Sequence, residues 1–235
     1  MNQKHSTEKI VGYDASAYAQ REKGYSPNPI RDAVWELVSS ELKGNVLDAG
    51  SGEGGWVLKL KQSKALQRII CTDIVDDGAS QIEGVEFHII DISHSSLPCL
   101  DKELDYIFAI EVIEHLANPR HFVIEAYRSL KDNGKLLITT PCNESLRAKL
   151  TFLFKGYFPQ FNDHCYYSTG HISPMTEIDL SRMSREAGFK QIDFYYPLSG
   201  RIPKTEIYWR EILPFIQPLI QGKAWSDTLF AILSK

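Results

Sequence analysis

The stretch NVLDAGSGEGGW, residues 45–56, decides the fold. Its short apolar run ends at an acidic residue, Asp48, and a cluster of glycines follows at once. A short apolar run that is bounded by turn residues predicts a buried strand, and glycines allow the backbone to turn sharply and to approach a ligand. The next residues, WVLKLKQS, predict a helix. The stretch therefore predicts a strand, a ligand-binding turn and a helix.

Composition and charge narrow the class of protein. The 235 residues, with 43% hydrophobic and 24% charged side chains, fit one globular domain over residues 1–235. The net charge of −4 favours neither nucleic acid nor anionic lipid as a general partner, so no nucleic acid partner is expected. The N-terminus lacks a signal peptide core, and no apolar run is long enough for a transmembrane segment. Four scattered cysteines without a CxxC pair fit a reducing compartment, so a cytoplasmic location is predicted.

Strand and helix patterns alternate along the rest of the chain. Further strands are predicted at RIICTD, VEFHIID, LDYIFAIE, KLLITTP, FKQIDFYYP and DTLFAILSK. Helices are predicted at PRHFVIEAYRSLKDNG, which ends at Gly134, and at TEIDLSRMSREAGF. This alternation predicts a Rossmann-like α/β fold, in which a seven-stranded, mostly parallel sheet has helices on both faces.

The domain divides into four predicted segments. They are an N-terminal helical segment (1–44), a cofactor-binding half (45–141), an insertion (142–175) and a C-terminal half (176–235) that contains a second insertion at 198–225. Both insertions are longer than ordinary connections and rich in aromatic residues. Long insertions after strands five and six predict lids or acceptor pockets.

Acidic residues stand at the ends of four predicted strands. They are Asp48, Asp73, Asp91 and Glu111. In parallel sheets of this kind the ligand lies at the carboxyl ends of the strands. Burying an acid without a partner is costly, so packing alone does not account for four of them. The acids therefore predict a ligand site at this edge of the sheet.

The residues around the glycines discriminate between ligands. Gly50, Gly52 and Gly55 satisfy G-x-G-x-x-G, which by itself is weak evidence for a dinucleotide. No lysine followed by Ser or Thr comes after the glycines, which argues against a phosphate-binding P-loop. Asp48 suits a ligand that carries positive charge, and S-adenosylmethionine (SAM) carries an ammonium and a sulfonium.

With these residues in place, the sequence resembles the class I SAM-dependent methyltransferases. VLDAGSGEGG matches the first motif of that family, and Asp73 and Asp91 match its acids after strands two and three. LDYIFAIEVIEHLANP is similar to the fourth motif, and LKDNGKLLITTP to the unit that follows. The matches span residues 45–141, with weaker likeness at 171–195. The resemblance implies SAM as cofactor, a last strand that is antiparallel, and a cofactor site formed by Asp48, Gly50, Ser51, Gly52, Gly54, Asp73, Ile74, Asp91, Ile92 and Glu111.

The segment EVIEHL raises the question of a metal. Its spacing is similar to the metal site of the ubiquinone-biosynthesis O-methyltransferases, which implies Mg²⁺ held by Glu111, Glu114, His115 and His171. Without a metal, His115 or His171 is a candidate general base, with His164 as the next candidate. A third interpretation is structural, with Glu114 and His115 bracing a short helix. The residues alone leave these three interpretations open.

The acceptor is the least determined part of the prediction. O-methylation of a small metabolite, or of a glycan or lipid-linked sugar, is favoured over N- or C-methylation. A catalytically inactive cofactor-binding domain is a further alternative. An NAD-dependent oxidoreductase would need a Tyr-x-x-x-Lys relay after strand four, which the sequence lacks, and an acidic chain without a basic stripe argues against RNA. The second insertion is compatible with pocket closure, homodimer formation or peripheral membrane contact.

Overall fold

The computed structural model describes residues 28–200 and 222–235, and its centre is one seven-stranded sheet. The strand order is β3-β2-β1-β4-β5-β7-β6. The strands are β1 (Gly44–Ala49), β2 (Leu66–Asp73), β3 (Glu86–Ile89), β4 (Leu104–Ile110), β5 (Leu130–Pro141), β6 (Gln191–Tyr195) and β7 (Thr228–Ser234). β7 pairs antiparallel with both β5 and β6, whereas the pairs from β3 across to β5 are parallel. The predicted mostly parallel sheet with an antiparallel last strand is confirmed.

Helices pack on both faces of this sheet, as predicted. Within the described ranges they are α1 (Asn28–Val38), α2 (Gly55–Leu60), α3 (Pro119–Ser129), α4 (Leu146–Lys155), α5 (Asp163–Ser168) and α6 (Glu177–Ala187). Alternate residues of β1 serve the two faces: Val46 packs with α1 and α2, and Leu47 packs with α3 and α6. The sheet is therefore buried on both sides, which explains the continuous apolar runs of its strands.

The predicted helix through Gly134 is too long. α3 ends at Ser129, and β5 begins at the next residue, with Leu130 paired to Leu104 of β4. Asn133 adopts a left-handed backbone with φ 68°, a conformation that a helix cannot continue through. The residues KDNG thus belong to the start of the strand, not to the last helical turn.

The first insertion contains two helices rather than an irregular loop. α4 and α5 both lie between β5 and α6, and their N-caps are the side chains of Ser145 and Asn162. Most of the second insertion, 201–221, and most of the N-terminal segment, 1–27, lie outside the described residues. None of the described helices has the length and apolar character needed to cross a membrane.

Candidate active site

The glycine turn after β1 is tied to the end of β2. The backbone N–H groups of Gly50 and Ser51 both donate to the carbonyl oxygen of Thr72, at 2.8 and 3.0 Å. Gly50 has φ 72°, and a Cβ added there would lie 2.5 Å from Cγ2 of Val112. The turn therefore requires glycine for its left-handed backbone and for the close approach of the segment after β4. Gly52 and Gly54 are also left-handed, with φ 50° and 81°.

Asp73, the last residue of β2, holds the turn from its other side. Its Oδ2 accepts from Gly52 N at 2.8 Å, and its Oδ1 accepts from Ile74 N at 2.7 Å. Burial raises the pKa of Asp73 above its usual value, and the backbone N–H donors of Gly52 and Ile74 oppose that shift. A carboxylate has acceptor capacity beyond two hydrogen bonds, so Asp73 can also accept from a ribose hydroxyl.

Asp48 and Ser51 are buried polar groups within the turn. Oδ2 of Asp48 and Oγ of Ser51 have no hydrogen-bond partner among the described residues. Burial, with the nearby charge of Asp73, raises the pKa of Asp48 well above its usual value, and the guanidinium of Arg31 lowers it. Leaving such groups without partners costs about 1–3 kcal/mol each. A polar ligand at the turn would relieve that cost, so these residues fit the predicted cofactor.

The loop after β3 carries the next predicted contacts. Asp91 lies two residues beyond the end of β3, and its Oδ1 accepts from Ser93 N at 2.8 Å. This bond shows that Asp91 also closes a local turn. Ile92 is buried in the core, and no group in the described ranges accepts from its backbone N–H. That N–H is available for a ring nitrogen of the adenine.

Glu111 stands immediately after β4 in an unusual conformation. Its φ is 55°, a left-handed value that is uncommon for residues other than glycine. Thr139 on β5 holds it twice, because its Oγ1 donates to Oε1 of Glu111 at 2.9 Å and accepts from Glu111 N at 3.0 Å. Burial raises the pKa of Glu111 above its usual value. Strain of this kind concentrates at functional sites, and here it lies directly beside the glycine turn.

His115 and His171 meet beyond Glu111. Their ring centroids are 4.7 Å apart and the rings are nearly perpendicular. The backbone carbonyl of Glu114 accepts from Ile172 N and Ser173 N, at 3.0 and 2.9 Å, and thereby fixes the His171 segment against the turn after β4. Nδ1 of His171 lies 3.0 Å from the carbonyl oxygen of Gln160. A carbonyl only accepts, so Nδ1 carries the proton and Nε2 of neutral His171 keeps its lone pair.

Both imidazoles are held neutral. Burial, together with His171, lowers the pKa of His115 to about 4, and burial lowers the pKa of His171. Burial and the charge of Glu111 raise the pKa of Glu114, whose two carboxyl oxygens accept no hydrogen bond of ordinary geometry from the described residues. Thr140 lies close enough to oppose that shift. The cluster therefore contains two neutral bases beside a carboxyl group that favours its protonated form.

The donor set of this cluster bears on the predicted metal. One ligand atom each from Glu114, His115 and His171 lies within 4.8 Å of the others. Glu111 is held instead by Thr139. Mg²⁺ prefers oxygen ligands, whereas two imidazoles and one carboxylate are typical of transition ions and zinc. The predicted Mg²⁺ therefore does not fit the residues that the fold brings together.

The structure separates one predicted catalytic residue from the cluster and adds one that the sequence did not reveal. His164 is exposed on α5 and is not part of the cluster. Arg31 on α1 was not predicted, yet a Cβ on Gly55 would lie 2.5 Å from its Nη1, and its charge acts on Asp48. The helical pattern of α1 gave no sign that one of its side chains reaches the turn.

The fold and this site define a class: a Rossmann-like sheet whose glycine turn and strand-end acids form a cofactor site of the SAM-dependent methyltransferase type. Comparison with known proteins agrees. Residues 23–193 match the family model described as "Methyltransferase domain", so the chain belongs to that family and the predicted class is confirmed. The narrower likeness to ubiquinone-biosynthesis O-methyltransferases is not confirmed.

Individual relatives point the same way. The chain is 29% identical over 114 residues to a probable SAM-dependent methyltransferase of Mycolicibacterium smegmatis. The matched region is 47% of this chain and 43% of that protein. The chain thus spans less than half of that relative. It is 27% identical to the uncharacterized protein MJ1123 of Methanocaldococcus jannaschii, covering 80% of this chain and 87% of the other. A SAM-dependent methyltransferase from Archaeoglobus fulgidus has the same fold, with a TM-score of 0.64 and 18% identity. The superposition covers 94% of this chain and 100% of the other.

Proposed function

We propose that this chain transfers a methyl group from SAM to a hydroxyl oxygen of a small-molecule or sugar acceptor, with His171 as the general base. The observation that carries the proposal is the neutral His171, whose Nδ1 is held by Gln160 and whose ring meets His115 beside the turn after β4. A hydroxyl becomes a strong nucleophile only when its proton leaves. Nε2 of His171 is the atom that receives this proton.

The residues around the glycine turn would hold the cofactor. Asp73 would accept from the ribose hydroxyls, Asp91 and Ile92 N would meet the adenine, and Asp48 and Glu111 would face the methionine end. Two observations support this assignment: Oδ2 of Asp48 has no hydrogen-bond partner among the described residues, and the backbone at Gly50 has no room for a Cβ. When bound, SAM supplies an electrophilic methyl group on a positively charged sulfur.

The proton and electron balance is simple. A lone pair of the acceptor oxygen forms the new O–C bond, the C–S bond breaks, and the sulfur keeps that electron pair as a neutral thioether. The hydroxyl proton passes to His171, and because burial lowers the pKa of that ring, the proton is readily released to solvent afterwards. His115 packs edge-on against His171 and fixes the ring plane. No metal is needed in this sequence of events.

The test uses acceptors in pairs that differ only in the nucleophilic atom: phenol with aniline, and cyclohexanol with cyclohexylamine. S-adenosylhomocysteine (SAH) formation is followed by mass spectrometry for the wild type, His171→Gln and the exposed control His164→Gln. We expect turnover of hydroxyl members, a loss of about 100-fold or more in His171→Gln, and no change in His164→Gln. Turnover confined to the amines would overturn the oxygen assignment. SAH binding without any turnover would favour a domain that keeps the cofactor site and lacks the transfer reaction.

The same assay decides the metal question. Activity that survives dialysis against a chelator supports the base mechanism. Activity that chelation abolishes and Zn²⁺ or Mn²⁺ restores, in the wild type but not in Glu114→Gln, would instead assign Glu114, His115 and His171 to an ion.

A further inference from the structure

α4 presents its apolar side to solvent, and its small residue Ala148 faces the protein. Leu146, Leu150, Leu153 and Phe154 lie within one arc of the helix, and all four are exposed. On the opposite side Ala148 is buried. A surface helix of a globular protein ordinarily has the reverse arrangement, with its apolar stripe toward the core.

The exposure is too large to be incidental. Leu153 is 72% and Phe154 is 79% exposed, and Phe152 on the adjoining side is also half exposed. Scattered single apolar residues on a surface are normal, whereas a contiguous patch marks a binding surface. The face formed by Leu146, Leu150, Leu153 and Phe154 is here called the outer face of α4.

The charges around this face identify its partner. α4 contains three basic residues and no acid, although the whole chain has a net charge of −4. Arg147 pairs with Asp227 at 3.1 Å, whereas Lys149 and Lys155 are exposed and form no ion pair with any described residue. At helical spacing Lys149 lies beside the outer face, next to Leu153, and Lys155 is the last residue of the helix. An apolar helix face with exposed cations on the same helix complements an anionic bilayer, in which apolar acyl chains lie beneath charged headgroups.

We propose that the outer face of α4 binds the surface of an anionic phospholipid bilayer, with Leu153 and Phe154 inserted among the acyl chains and Lys149 and Lys155 at the headgroups. α4 lies in the same connection, between β5 and α6, that carries His171. Binding would thus bring the acceptor side of the domain to the membrane. This proposal stands apart from the nature of the acceptor and does not require methyl transfer to oxygen.

Vesicle sedimentation tests the proposal directly. The wild type is mixed with phosphatidylglycerol vesicles and with phosphatidylcholine vesicles, at low and at high salt. We expect binding to phosphatidylglycerol that weakens as salt rises, and much weaker binding to phosphatidylcholine. Replacing Lys149 and Lys155 by Ala should lower the phosphatidylglycerol affinity by about fivefold for each lysine.

The double variant Leu153→Ser with Phe154→Ser should weaken binding by roughly tenfold or more to either lipid. The matched control is Leu100→Ser, because Leu100 is 76% exposed but lies before β4, at the opposite end of the sheet. It should bind vesicles like the wild type. Calorimetric titration with SAH shows that each variant is folded.

Three results would overturn the proposal. Wild type and double variant could sediment equally with the vesicles. The wild type could fail to bind vesicles yet form a dimer in analytical ultracentrifugation that the double variant does not, which would assign the face to a second copy. Third, the wild type could neither bind vesicles nor form a dimer, while the double variant has a lower Tm. This result would show that another part of the same chain covers the outer face of α4.

Discussion

The rings of His115 and His171 lie 4.7 Å apart, edge to face, although 55 residues separate them in the chain. Two imidazolium charges so close together would repel each other, so at most one ring can be charged, and burial lowers the pKa of both rings and favours their neutral forms. The backbone carbonyls of Gly170 and Gln160 face their Nδ1 atoms, at 3.3 and 3.0 Å. The fold therefore holds both side chains in a defined plane and charge state.

The buried state of His115 predicts how stability depends on pH. The folded protein keeps this ring neutral down to about pH 4, whereas the unfolded chain protonates it below about 6.5. Between these values the unfolded state binds the additional proton, so lowering the pH favours unfolding. Relative to His115→Asn, the wild type should lose up to about 1.4 kcal/mol of unfolding free energy per pH unit from 6.5 down to 4.

Urea unfolding at several pH values measures this difference. Asn retains a donor for the Gly170 carbonyl, so the variant removes the titration with little change in packing. Replacing the exposed His94 by Asn provides the control and should give a curve parallel to the wild type. Parallel curves for His115→Asn as well would mean that the ring is not buried in a neutral state.

Asp73 should control cofactor affinity. It supports the glycine turn through Gly52 N and is predicted to accept from the ribose, so Asp73→Ala removes both. We expect SAH binding to weaken by about 1–3 kcal/mol, which is about 5- to 150-fold in Kd. Calorimetric titration gives the value, and Asp76→Ala, at a neighbouring exposed carboxylate, should leave it unchanged. Equal affinities for wild type and Asp73→Ala would remove Asp73 from the site.

Gly50 should tolerate no side chain. Gly50 and Gly84 share a left-handed backbone, with φ 72° and 76°, but a Cβ on Gly84 would meet nothing within 4 Å. Gly84→Ala should therefore cost only the conformational strain of about 1–2 kcal/mol. Gly50→Ala should cost about 1–3 kcal/mol more, because its Cβ would overlap Val112. Urea unfolding compares them, and adding Val112→Ala should recover part of the excess; equal losses would argue against the close contact.

The parts of the fold that follow local patterns could be predicted from the sequence. The strands β1, β2 and β4 are short apolar runs between turn residues, and each lies where predicted. The end of α3 was misplaced because the pairing of Leu130 with Leu104 and the left-handed Asn133 decide it, and neither follows from helical periodicity. Tertiary contacts there outweigh local propensity.

The site shows the same division. Asp48 and Asp73 could be found because their positions at strand ends are visible in the sequence. The hydrogen bonds between Glu111 and Thr139 could not, because they depend on the register that places Thr139 opposite Ile110. That register lets Thr139 hold the Glu111 carboxylate, so Glu111 is not among the ligand atoms of Glu114, His115 and His171 that lie within 4.8 Å of one another. Spacing alone could not reveal this.

Arg31 is the residue that the sequence did not identify and that a ligand pair can test. Its guanidinium lies against Gly55 at the start of α2, acts on the buried Asp48, and donates to Asn28 through Nη2. A fixed cation at this end of the turn is suited to the carboxylate of the methionine moiety. Arg31→Gln should therefore weaken binding of SAH by roughly tenfold.

The matched ligand is 5′-methylthioadenosine, which has the adenine, ribose and sulfur of SAH and lacks its amino acid group. Its affinity should be the same for wild type and Arg31→Gln, because its contacts are predicted to come from Asp73 and the loop after β3. Arg182→Gln, at an exposed position on α6, is the control for removing a positive charge and should change neither affinity. Equal weakening of both ligands in Arg31→Gln would show that Arg31 supports the glycine turn as a whole, and no weakening would show that its charge acts on Asp48 alone.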